Sequence, residues 1–133
     1  RQVGKALHTM HGIDTGEGGK AFCHGRFCYP DIYIAESGDV ELIAGYHNVY
    51  LGNPEEDVFA MATLAFKNNF ISVQTDQDAI GAFLSGYGYP KEGFLEKLWE
   101  YLISLARNES NMNEARYLME FAVGVLRVIK ANA

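Results

Sequence analysis

The stretch from His8 to Cys28, HTMHGIDTGEGGKAFCHGRFC, holds both cysteines and three of the four histidines of the chain. Zinc takes nitrogen and sulfur donors in a tetrahedron, usually as two close pairs from separate elements. His8 with His11, and Cys23 with Cys28, are two such pairs, and His24 is a spare donor. A glycine-rich connector, Gly12 to Lys20, can fold one pair back onto the other. The same cysteines also fit a disulfide across the turn His24-Gly25-Arg26-Phe27, or a pair of small buried apolar side chains. Zinc is therefore the cofactor the sequence suggests, with His8, His11, Cys23 and Cys28 as its ligands.

A cysteine becomes a nucleophile when a histidine helps to hold its thiolate. Cys23 or Cys28 paired with His47 is the chain's catalytic alternative, a cysteine-dependent hydrolase. The run Gly38-Asp39-Val40-Glu41-Leu42 followed by His47-Asn48-Val49-Tyr50-Leu51-Gly52-Asn53 resembles the histidine strand of NlpC/P60-type cysteine peptidases. That family sets its nucleophile in an Asp-Cys-Ser motif at the start of a long helix, and neither feature has a counterpart ahead of this strand. Gly16-Glu17-Gly18-Gly19-Lys20 is glycine-rich like a phosphate loop, but Asp14 and Ala21 stand where that motif requires Gly and a hydroxyl.

Tyrosine is favoured at protein interfaces. Tyr87 and Tyr89, in the run Gly86-Tyr87-Gly88-Tyr89-Pro90, read as a constrained loop, with Tyr46 and Tyr50 extending the patch.

The elements that must position these residues follow from periodicity. Val3, Ala6, Leu7 and Met10 predict a helix over 2–11, stopped by a left-handed Gly12. Residues 31–35, 40–44 and 47–51 read as short strands of an antiparallel meander. Asn53 as cap, Pro54 at the first position and Glu55-Glu56-Asp57 in the first turn start a helix over 54–67. A short helix ending near Leu84, a strong one over 91–107 and a last one over 113–130 complete the chain, the last two packed antiparallel. The expectation is one α+β domain over residues 1–133, a small antiparallel sheet from the first half against three or four helices from the second.

Composition bounds the function. The net charge is −6 and the densest charge run is acidic, which disfavours nucleic acid as a partner. No apolar run approaches the length that spans a bilayer, and no secretory leader pattern is visible, so a cytoplasmic location is favoured. These features point to a small acidic, non-catalytic interaction module that binds another protein, as an adaptor or inhibitor does.

Overall fold

A computed structural model describes residues 1–25, 31–45, 48–67 and 77–133. Among these the order is α1 (Gln2–His11), β1 (Ala21–Cys23), β2 (Ile32–Ile34), β3 (Val40–Ile43), β4 (Tyr50–Gly52), α2 (Glu55–Lys67), α3 (Gln77–Tyr87), α4 (Phe94–Asn108) and α5 (Met112–Ala131). The architecture is α+β, with antiparallel strands in the first half and three of the five described helices in the second.

α1 forms where its apolar period predicts and buries Leu7 completely. Gly12 ends it in a right-handed conformation, φ −79°, and not in the left-handed one expected. Its N–H still reaches the His8 and Thr9 carbonyls at 3.0 and 3.2 Å, so the last turn simply tightens. Gly4 has a stronger reason to be glycine. A Cβ there would lie 2.1 Å from the Phe83 carbonyl oxygen, and one on Gly86 would lie 2.0 Å from that of Arg1. The two glycines let α1 and α3 meet backbone to backbone.

The strands do not form one meander. β2 and β3 make a ribbon with Ile32 opposite Ile43 and Tyr33 opposite Leu42; Glu41 is the extra residue of a bulge before Ile34 meets Val40. Ala44 N–H donates to the Asp31 carbonyl at 2.8 Å, and Gly45 then turns at φ +77° beside the Asp31 carboxylate. β4 pairs instead with β1, setting Cys23 opposite Tyr50 and Ala21 opposite Gly52. This long-range clasp carries the chain from β1 to the start of α2.

Local signals explain the helices that follow. The Asn53 side chain accepts from Glu55 N–H at 3.0 Å, as a cap should. α4 buries Phe94, Leu98, Leu102 and Ala106, one per turn. Its three large side chains contribute about 1.5–3 kcal/mol each. α5 is capped by Asn111, which accepts from Asn113 and Glu114 N–H, and packs along α4 through Ala122, Val125 and Val128. The core joins Leu7 of α1, Ile43 of β3, Val58 and Met61 of α2 and Leu84 of α3 to Phe94, Leu98 and Leu102 of α4 and Ala122 and Val125 of α5. No described helix is long and apolar enough to cross a membrane.

Candidate metal centre

Asp57 is the third residue of α2 and is 1% exposed. Its side chain lies on the face that also buries Val58, Met61 and Ala62. Burying a carboxylate without partners is costly; three donors converge on this one. The backbone N–H of His24 donates to Oδ2 at 2.6 Å, and that of Gly25 to Oδ1 at 3.1 Å. Successive N–H groups with Gly25 at φ +82° form a nest that suits an anion. A side chain at residue 25 would strike the Asn48 carbonyl at 2.3 Å, so the turn requires glycine. The third donor is His11 Nε2, at 2.9 Å.

His11 comes from the last turn of α1, and its side chain is 5% exposed. Its other nitrogen, Nδ1, lies 2.7 Å from the Tyr87 hydroxyl. A neutral ring satisfies both contacts when Nε2–H donates to Asp57 and Nδ1 accepts from Tyr87. Tyr87 is the last residue of α3. Gly88, at φ +87°, closes that helix, and the N–H groups of residues 88 and 89 both reach the Leu84 carbonyl at 2.9 Å. Burial, then the field of Asp57, pushes the Tyr87 hydroxyl up to about 12. It therefore stays protonated and able to serve His11.

Cys23 ends β1, fully buried and with a free thiol. The thiol donates to the Asn53 carbonyl at 3.4 Å. Burial, with the negative charges of Asp57 and Glu56 behind it, pushes this thiol up to about 11. A nucleophile needs the opposite shift. A metal ion reverses the logic, because the carboxylates that oppose a thiolate attract a cation. The ligand atoms of His11, Cys23 and Asp57 all lie within 4.8 Å of one another, so this group can hold a metal ion.

Two of the four ligands expected from sequence, His11 and Cys23, thus come together. His8 is exposed, its ring edge-on to Tyr87 with centroids 5.6 Å apart, and it is not one of the three donors. Cys28, His47 and Tyr46 lie outside the described residues, and the pairings proposed for them lie there too. His24, the spare donor, is buried, its ring Nε2–H donating to the Ala44 carbonyl. Asp57 was visible in the sequence only as a helix-start charge; its place one turn before Met61, on an apolar face, was the signal that it points inward.

The three described tyrosines of the expected patch make contacts within the fold. Tyr87 is committed to His11. Tyr89 packs against Phe59 and Phe94, and its hydroxyl donates to Glu55 at 2.8 Å while accepting from Lys97 at 3.1 Å. Tyr50 is 38% exposed and donates to Glu56. Set against family models, curated proteins and solved structures, the chain matches none of them.

Proposed function

We propose that this chain is a small protein-interaction module whose N-terminal half is tied together by one zinc ion at His11, Cys23 and Asp57. The observation that carries the metal reading is the convergence of N, S and O donors from α1, β1 and α2 on one buried point. The two anionic donors offset the charge of a divalent ion, and the imidazole, thiolate and carboxylate set is one zinc accepts. Tyr87 completes the arrangement as an outer partner. With Nε2 on the metal, Nδ1–H donates to the Tyr87 oxygen, which accepts as readily as it donates. Cys28 is the sequence's nominee for a fourth ligand.

The ion in this reading is structural. A catalytic zinc keeps a position open to substrate, whereas these three side chains are at most 5% exposed. The interaction reading is supported by the exterior, where Tyr33, Ile34, Leu42, Val49 and Leu51 of the strand half are all at least 40% exposed.

Metal binding and folding are coupled, so the test is a thermal melt. Protein stripped with chelator should melt lower than protein given one equivalent of zinc. His11→Gln, Cys23→Ser and Asp57→Asn should each abolish the difference. Identical melts with and without zinc for the native sequence would remove the metal from this account.

A further inference from the structure

Two exposed faces of the chain have opposite chemistry. The first is the β2–β3 ribbon. Tyr33 and Leu42 stand opposite each other on one face of it, 55% and 54% exposed. Glu36, Asp39 and Glu41 are exposed around them. Residues 27–66 carry seven carboxylates and no Lys or Arg, a formal −7, whereas the remaining ten acids and eleven bases leave the rest of the chain at +1. Four of the seven, Asp31, Glu36, Asp39 and Glu41, belong to the ribbon and its ends, and the other three open α2.

The second face is on α5. Met112, Arg116, Met119, Val123 and Arg127 recur at intervals of three or four and so share one stripe of the helix, with Glu120 on its border, so that its two arginines leave it at +1. All are exposed, Met112 at 78%, Met119 at 43% and Val123 at 45%. α5 packs on α4 through its Ala122, Val125 and Val128 side, which leaves this stripe to solvent.

Resting on the interaction reading above, we infer that the partner is a second copy of this chain, with the α5 stripe of one copy seated on the β2–β3 ribbon of the next. Methionine and valine meet tyrosine and leucine, and the two guanidinium groups meet the carboxylates that flank them. The two faces differ, so the contact is heterologous, and each copy keeps one of each face free for another. A three- to four-residue ribbon is a small footprint, which makes the association weak and concentration-dependent.

Sedimentation velocity tests this on the native chain from about 10 μM to about 1 mM, the range expected of a small interface. The weight-average sedimentation coefficient should rise with concentration, and less so in high salt. Glu36→Arg with Glu41→Arg reverses the ribbon; Arg116→Glu with Arg127→Glu reverses the stripe. Each variant alone should associate at least about tenfold more weakly. An equimolar mixture should regain association, because each reversed face then finds its complement. That rescue also shows that both variants are folded. A native chain monomeric throughout, or a mixture that stays monomeric, overturns the assignment. Association that survives both reversals places the contact on another surface, in which case the interaction reading stands and this one falls.

Discussion

Replacing Asp57 with Asn changes one side-chain atom and tests whether three elements depend on that carboxylate. Every group facing it donates: His11 Nε2–H and His24 N–H to one oxygen, Gly25 N–H to the other. An amide has one acceptor oxygen. With that oxygen in the Oδ2 place, Gly25 N–H confronts an NH2 group; flipped, the other two donors do. The better choice leaves one donor without a partner, at about 1–3 kcal/mol, and turns two charge-assisted bonds into neutral ones, at about 1 kcal/mol each. The sum is about 3–5 kcal/mol. A chain of 133 residues loses roughly 0.28 kcal/mol of stability per degree near its midpoint. The Tm of Asp57→Asn should therefore fall by about 10–18 °C, measured by calorimetry in chelator so that no metal contributes. Glu56→Gln is the control, since it removes a charge from the same helical turn at an exposed position. Helix-dipole electrostatics there are worth up to about 1 kcal/mol, or roughly 4 °C. Equal shifts for the two variants would refute the buried clamp and leave Asp57 as an ordinary helix-start charge.

The other predictions concern the same framework. Gly4→Ala should lower the urea midpoint although alanine favours helix, because its methyl meets the Phe83 carbonyl at 2.1 Å. Gly124→Ala, with nothing within 4 Å of the new Cβ, should raise the midpoint, by up to about 1 kcal/mol of stability. The raised Cys23 thiol makes metal-free protein lose stability with alkali: its contribution is intact below about 9 and disappears as pH rises towards about 11. Cys23→Ala should flatten that part of a Tm–pH profile; an unchanged slope would contradict the shift. Zinc must displace the thiol proton, so competition titrations across neutral pH should show affinity rising about tenfold per pH unit for each proton released. Tyr87→Phe should weaken zinc about 10–100-fold as an outer-partner loss, while leaving the helix it terminates intact by circular dichroism.

Much of this framework was legible in the sequence, for local reasons. α1, the capped start of α2 and the apolar stripes of α4 and α5 each follow from spacing within one element. The choice of β1 as the partner of β4 does not, because both are three-residue strands and no local pattern selects between distant partners. Gly86 looked like loop punctuation, yet it sits inside α3 because the backbone of α1 passes against it. The candidate site was half legible. His11 and Cys23 stood out as donor types at ligand spacing. Asp57 already had a sufficient local explanation, as one of three acids opening a helix, and its inward role emerges only when α1 and β1 pack onto α2. His8, one turn before His11, ends up exposed, since a short helix presents only part of its circumference to the core.

The account turns on Cys23 being a metal ligand, and cobalt(II) reports that bond directly as a substitute for zinc. Titrated into the stripped protein, it should develop a thiolate-to-cobalt charge-transfer band that saturates at one equivalent, disappears when zinc is added, and is absent in Cys23→Ser. No such band, or one that persists unchanged in Cys23→Ser, would contradict a metal at His11, Cys23 and Asp57.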